Sequence, residues 1–144
     1  MAREQNDAPL YREIEHAGDI GIEITAPTRS ELFRKAAIAL ADLLVDLSTV
    51  ERAEDRIVEV TANDDIDLMH DLLTELLQLF AADGFIWREA AVEERGQGLD
   101  VVITGESFDP RHVVPRGEIK AVTYHQMTVE QRAKEWRARI IFDV

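Results

Sequence analysis

Two stretches of the chain carry apolar residues at the spacing of a helix face, and each is set among segments that read as strands. The first stretch runs from about 29 to 46, and its apolar positions are Leu32, Phe33, Ala36, Leu40, Leu43, Leu44 and Leu47. The second runs from about 65 to 82, with Met69, Leu72, Leu73, Leu76, Leu77 and Phe80. A one-sided apolar face must be buried against another layer. The pattern therefore predicts two amphipathic helices packed on a sheet.

The ends of both helices carry capping signals. The run from Thr28 to Glu31 has capping-box spacing, which predicts Thr28 as the N-cap and Glu31 reaching back to it. Three aspartates, at 64, 65 and 67, lie at the start of the second helix, where negative charges interact favourably with the helix dipole. Gly84 is available there for a left-handed C-cap.

The remaining segments predict strands. They are expected at 10–15, 20–25, 56–61, 85–93, 99–105, 118–129 and 134–142. The turn at 95–98 has glycines where positive φ values are needed. The order predicts an α+β fold: a two-layer sandwich with the two amphipathic helices on one face of a largely antiparallel or mixed sheet. We expect residues 1–9 to be a flexible leader and 10–144 to form one domain.

Charge and composition exclude several kinds of protein. The 144 residues include 29 acidic and 16 basic side chains, for a net charge of −13, and no cysteine. Disulfides, zinc-thiolate sites and thiol nucleophiles are therefore excluded. A negative field repels phosphate backbones, so we expect no direct high-affinity binding of nucleic acid. The start lacks the apolar core of a signal peptide, and no apolar run could span a bilayer, which predicts a cytoplasmic protein without a membrane contact.

Three oxygen donors stand out at the two ends of the sequence. Asp19 lies between two predicted strands, where an Asx turn with Gly18 is the simpler interpretation. Asp143 follows an apolar strand directly, and its side chain lies within a few ångströms of the α-carboxylate of Val144. Two adjacent anions repel each other unless a cation lies between them. If Asp19 joins them, an all-oxygen donor set would favour Ca²⁺, Mg²⁺ or Mn²⁺.

Other polar residues give weaker signals. His16 is either a ligand or general base, or a histidine that bonds the backbone of its turn. His125 falls by alternation on the face of Ile119 and Met127, which predicts a packed, hydrogen-bonded side chain. Asp46 lies at the end of the first predicted helix, where a negative charge interacts unfavourably with the helix dipole. The simpler interpretation is a solvated acid in a loop. The four histidines have no recognised ligand spacing, and the sequence holds no Walker, HExxH or GxSxG motif.

Five segments in order resemble the archease family. Residues 15–21, EHAGDIG, resemble its E-H-T-A-D-I-G opening, with Ala17-Gly18 in place of Thr-Ala. The segments ELFRKAA at 31–37 and GESFD at 105–109 are similar to its E-L-F-x-x-A-A helix and G-E-x-F-D loop. Residues 119–125, IKAVTYH, and 136–144, WRARIIFDV, resemble its V-K-A-V-T-Y-H strand and W-x-A-R-V-I-F-D-I ending.

This resemblance implies an accessory protein with no catalytic residues of its own. Archeases assist the RtcB-type RNA ligase of tRNA splicing, promoting its GTP-dependent guanylylation and multiple turnover. The family's metal site corresponds here to Asp19, Asp143 and Val144, with Ca²⁺ as the expected ion and Mg²⁺ or Mn²⁺ as alternatives. His16, Asp46, Lys120 and His125 are further candidates for the surroundings of the metal or for the partner-facing surface.

Two other functions remain open from the residues themselves. A carboxylate cluster can activate water, so a stand-alone metal-dependent phosphoesterase or nuclease is one alternative. A chaperone-like binding module that needs no metal is the other.

Overall fold

The structure, a computed structural model, describes residues 10–14 and 18–144. Its helices are α1 (Arg29–Leu44) and α2 (Asp65–Gln78). The strands among these residues are β1 (Arg12–Ile14), β2 (Ile20–Ala26), β3 (Glu54–Thr61), β4 (Phe85–Arg95), β5 (Gly98–Ser107), β6 (Ala121–Val122), β7 (Thr128–Arg132) and β8 (Glu135–Asp143). The predicted leader at 1–9 lies outside the described residues. Neither α1 nor α2 has the length and hydrophobicity that a bilayer-spanning helix requires.

The strands form two sheets in which every pair of neighbours is antiparallel. The larger sheet has the order β1-β2-β8-β6, and β7 pairs with β8 as well. The smaller sheet has the order β3-β5-β4. The predicted α+β fold is confirmed. The division of the strands between two sheets depends on long-range pairing, which periodicity does not show.

Helix α1 begins as predicted and ends slightly earlier. The hydroxyl of Thr28 accepts a hydrogen bond from the amide of Glu31 at 3.1 Å, which confirms Thr28 as the N-cap. The carboxylate of Glu31 instead binds Arg34 at 2.8 Å, so the prediction that it reaches back to the cap is wrong. The helix ends at Leu44, because Val45 is extended and forms a bridge with Pro115.

Helix α2 is capped at both ends by residues that the sequence singled out. The Asp64 side chain accepts from the amide of Asp67 at 2.8 Å. The helix ends at Gln78, and a π-helical turn (Leu79–Asp83) follows it. Gly84 has a φ of +69° and its amide donates to Phe80 at 2.9 Å, which confirms the left-handed cap.

A buried indole fixes α1 to the smaller sheet. Trp87 of β4 is fully buried, and its Nε1–H donates to the carbonyl of Ala37 in α1 at 2.8 Å. Beside it, β4 and β5 approach so closely that a Cβ on Gly105 would lie 1.9 Å from the carbonyl oxygen of Ile86. The strand pair therefore requires glycine at that position.

The strand predicted at 118–129 is wrong as a continuous element. Only β6 (Ala121–Val122) and the start of β7 fall within it. Between them a turn runs through residues 124–127, with Gln126 at a φ of +51°. Alternation continued across this turn because Met127 is buried although it lies outside any strand.

Candidate metal and partner site

The pairing of β2 with β8 brings the two predicted metal-binding aspartates to one end of the larger sheet. Ile20 lies opposite Phe142, and Ile22 lies opposite Ile140. Asp19 directly precedes Ile20 and Asp143 directly follows Phe142, so this register brings the two aspartates to the same strand end. Residues 124 positions apart in sequence thus become neighbours across two strands.

By strand alternation, the two aspartates belong to the face of the larger sheet that α1 does not cover. Ile22, Ile24, Ile140 and Ala138 alternate with them and lie in the core with the helices. On the opposite face, Glu23 pairs with Arg139, and Asp19 with Asp143 is the next pair but one. Asp19 is half-buried, whereas Asp143 and Val144 are exposed. Two carboxylates therefore lie near each other at this strand end, and the Asp143 side chain is exposed there.

The other edge of β8 brings Lys120 to the same place. Ala121 of β6 lies opposite Asp143, and the amide of Lys120 donates to the carbonyl of Asp143 at 2.7 Å. The end of β8 is therefore held between β2 and β6. The Lys120 side chain is exposed. The structure thus brings Asp19, Lys120, Asp143 and Val144 together.

A turn with positive φ precedes Asp19. Gly18 has a φ of +76°, a conformation that favours glycine, as the turn interpretation predicted. His16 and Ala17, which belong to the same motif, lie outside the described residues, so the prediction for His16 stays a prediction.

The donor set fits a hard divalent cation. The ligands that Asp19, Asp143 and the Val144 carboxylate offer are all oxygens, which Ca²⁺, Mg²⁺ and Mn²⁺ accept. Their position at the end of a three-strand hydrogen-bonded ladder fixes the backbone of Asp143 from both sides. Metal binding itself stays a prediction.

Asp46 has a local structural role. Its carboxylate caps the short 3₁₀ turn (Leu47–Thr49) by accepting from the Ser48 amide at 3.0 Å and the Ser48 hydroxyl at 2.7 Å. These hydrogen bonds to the charged form hold the pKa of Asp46 below its ordinary value. The cap accounts for an acid at the end of α1 without a ligand.

His125 is exposed, so the prediction of a packed side chain is wrong. It lies in the turn between β6 and β7, where its amide donates to the hydroxyl of Thr123 at 3.2 Å. The physical reason is that strand alternation no longer applies once the chain turns. A position on an exposed turn is compatible with a partner-facing role.

Sequence reasoning missed a second group of ligand-type side chains. Glu51, Glu106 and His112 each offer one ligand atom, and the three atoms lie within 4.8 Å of one another. Nε2 of His112 lies 2.9 Å from both carboxylate oxygens of Glu106, which raises the pKa of the histidine. Positions 51, 106 and 112 have no motif spacing, and only the fold of the loops around β5 joins them.

Comparisons with known proteins identify the family of this chain. The sequence model of the Archease protein family matches residues 11–144. The archease of Pyrococcus abyssi is 35% identical over 139 residues, covering 93% of this chain and 98% of that protein. The archease of Methanopyrus kandleri is 36% identical over 138 residues, covering 93% and 99%. The chain belongs to the archease family.

Solved structures agree with this assignment. The solution structure of a Methanobacterium thermoautotrophicum protein superposes with a TM-score of 0.77 at 30% identity, covering 93% of this chain and 98% of that one. The crystal structure of an archease from Thermotoga maritima, described as a possible chaperone, gives a TM-score of 0.65 at 21% identity, covering 99% and 100%. The second comparison supports the fold alone.

Proposed function

We propose that this archease activates an RtcB-type RNA ligase in tRNA splicing, promoting its GTP-dependent guanylylation and multiple turnover. The observation that supports the proposal most is the register of β2 with β8, which sets Asp19 beside Asp143 at an open strand end. Membership of the archease family supplies the class of partner. In this proposal the chain is a protein cofactor of the ligase and performs no reaction alone.

The ligands in this proposal are the carboxylates of Asp19 and Asp143 and the α-carboxylate of Val144. A divalent cation bound by them would supply charge neutralisation for phosphates during nucleotidyl transfer. The ladder bonds of β8 orient these donors, including the 2.7 Å bond from the Lys120 amide to Asp143. Every donor is an oxygen, which Ca²⁺, Mg²⁺ and Mn²⁺ all accept, and membership of the archease family makes Ca²⁺ the expected ion.

The exposed surroundings suit docking against a positively charged partner. Asp143 and Val144 are exposed, and the net charge of the chain is −13. Such a field attracts a cationic nucleotide pocket and repels RNA phosphates. In the proposed complex the ligase therefore contacts the RNA, and this protein contacts the ligase.

Ligase guanylylation with and without this protein, titrated with Ca²⁺, Mg²⁺ and Mn²⁺, tests the proposal. We expect stimulation by the wild type and its loss in Asp19→Ala and Asp143→Ala, with circular dichroism unchanged. Asp55→Ala is the matched control, because Asp55 is an exposed aspartate of the smaller sheet. Full stimulation by the double variant Asp19→Ala/Asp143→Ala would contradict the metal-dependent proposal.

A metal-independent binding module is the second candidate, because the Thermotoga maritima archease is described as a possible chaperone. Stimulation that persists in a chelator and in the double variant would favour this candidate. Hydrolysis of a phosphodiester or nucleotide by the purified protein alone, lost in Asp19→Ala, would instead favour the stand-alone metal-dependent phosphoesterase or nuclease.

A further inference from the structure

We propose that Glu51, Glu106 and His112 form a second metal site, selective for a transition metal ion such as Zn²⁺. Their ligand atoms lie within 4.8 Å of one another. The site is separate from the Asp19 and Asp143 pair in both position and chemistry, because it includes a nitrogen donor. It also does not depend on a ligase partner.

The carboxylate at the centre of this group is buried and oriented. Glu106, at the end of β5, is 7% exposed and is the only charged residue that is buried among residues 10–14 and 18–144. Its Oε2 accepts from the amide of Glu51 at 2.6 Å. A buried carboxylate is costly unless a cation or hydrogen-bond donors compensate it. The Glu51 amide satisfies one oxygen of Glu106, and a positive group beside the carboxylate would compensate its remaining charge.

The imidazole of His112 lies beside Glu106, and an imidazole can also bind a metal. Nε2 of His112 lies 2.9 Å from both Oε1 and Oε2 of Glu106. The imidazole is about two-thirds covered, with 37% of the side chain exposed. Without a metal, an N–H at Nε2 would donate to the Glu106 carboxylate. With a metal, the ion takes the place of the proton between Nε2 and the carboxylate.

The other ring nitrogen of His112 faces a carboxylate as well. Nδ1 lies 3.6 Å from Oδ2 of Asp109. Metal-ligating histidines commonly have a carboxylate behind the second ring nitrogen, which fixes the ring and raises its basicity. Arg111 binds the same aspartate at 2.8 Å and so holds it in position. At 3.6 Å, Asp109 is within ion-pair distance of the second ring nitrogen.

The third ligand comes from an exposed loop. Glu51 comes two residues after the 3₁₀ turn (Leu47–Thr49), and it is exposed to solvent. One imidazole and two carboxylates match the donors that Zn²⁺ accepts, with the fourth position left to water or a ligand. Ca²⁺ and Mg²⁺ prefer oxygen donors alone, so the nitrogen of His112 distinguishes the two sites of this protein.

Titration of the untagged protein with Zn²⁺ by calorimetry, followed in parallel by the imidazole nitrogen signals in NMR, tests the proposal. We expect a site at which Zn²⁺ shifts the His112 nitrogen and Ca²⁺ does not. His112→Gln and Glu51→Gln should each weaken this binding by at least about tenfold. Glu51 is exposed, so its variant keeps the test valid even if His112→Gln fails to fold.

Matched variants separate this site from other residues. His125→Gln removes an exposed histidine elsewhere, Glu59→Gln removes an exposed glutamate of β3, and Asp19→Asn/Asp143→Asn removes the oxygen-donor pair. All three should bind Zn²⁺ as the wild type does. Equal Zn²⁺ affinity in the wild type and in Glu51→Gln with His112→Gln, or an unchanged His112 signal at saturating Zn²⁺, would overturn the proposal.

Discussion

Ile20 of β2 lies directly opposite Phe142 of β8 in the larger sheet. This one pairing determines where the chain's two most informative aspartates lie, because each is the chain neighbour of one member of the pair at the same strand end. Asp19 precedes Ile20, and Asp143 succeeds Phe142. The metal proposal and the first prediction both depend on this register.

Extending the chain beyond Val144 tests the third proposed ligand. Two added residues, Gly-Ser, would move the terminal carboxylate away from Asp143 while leaving both aspartates in place. We expect Ca²⁺ affinity by calorimetry to fall at least about tenfold, because one of three charged ligands is lost. Val144→Ala keeps the carboxylate and is the control. Equal affinities for the extended and unextended chains would remove Val144 from the ligand set.

The ion pairs of Glu23 give the protein an acid-dependent contribution to stability. Hydrogen bonds from Arg139 and Arg12 to Glu23 hold its pKa below the ordinary value of 4.5, against a smaller opposing effect of burial. A depressed folded-state pKa stabilises the protein above the unfolded pKa, and this contribution is lost as pH falls through the folded pKa. The free energy of unfolding in urea, measured from neutral pH down to below the folded pKa of Glu23, should therefore fall more steeply for the wild type than for Glu23→Gln.

Glu59→Gln provides the comparison for that experiment, since Glu59 is an exposed glutamate in β3. Its pH profile should follow the wild type. Parallel pH profiles for Glu23→Gln and the wild type would show that the ion pair of Glu23 with Arg139 does not contribute to the pH dependence of stability.

Replacement of Thr28 by alanine should destabilise α1 at its first turn. The substitution removes the oxygen that accepts from the Glu31 amide at 3.1 Å. We expect a loss of about 1 kcal/mol in the free energy of unfolding, measured in urea. Thr28→Ser keeps a capping hydroxyl and should remain near the wild type. An equal loss in both variants would argue against the cap as the cause.

Two glycines should respond to alanine for different reasons. At Gly18 a Cβ meets nothing within 4 Å, but φ is +76°, so Gly18→Ala should cost about 1 kcal/mol of unfolding free energy.

At Gly105 the Cβ would lie 1.9 Å from a backbone oxygen of β4, so the two strands must separate. We expect Gly105→Ala to lose cooperative unfolding in urea. A fully stable Gly105→Ala would show that β4 and β5 can move apart at little cost.

Local patterns predicted most of the helices and strands, because periodicity and caps act over a few residues. Thr28, Asp64 and Gly84 illustrate this, since each cap depends on groups three or four residues away. The strand predicted at 118–129 is wrong because the turn at Gln126 lies within an alternating pattern. The turn at 124–127, with Gln126 at positive φ, separates β6 from β7.

The sites were predictable only in part, because their residues meet through long-range pairing. Asp19 and Asp143 were singled out as chemical types and through a family resemblance, whereas the register that joins them comes from the fold. Glu106 is part of an acidic motif in sequence, and nothing local shows that its carboxylate is buried against His112. Burial of a charged group depends on which loops cover it.

The position of β8 between β2 and β6 has a consequence for synthesis of the protein. Arg139 and Glu23, which bind each other across β8 and β2, are 116 residues apart. The smaller sheet and both helices are complete once residue 107 has left the ribosome, but β2 has no partner on its inner edge until β8 emerges. An unpaired strand edge invites association with other chains. During translation the nascent chain therefore exposes β2 until nearly all of the described residues have been made.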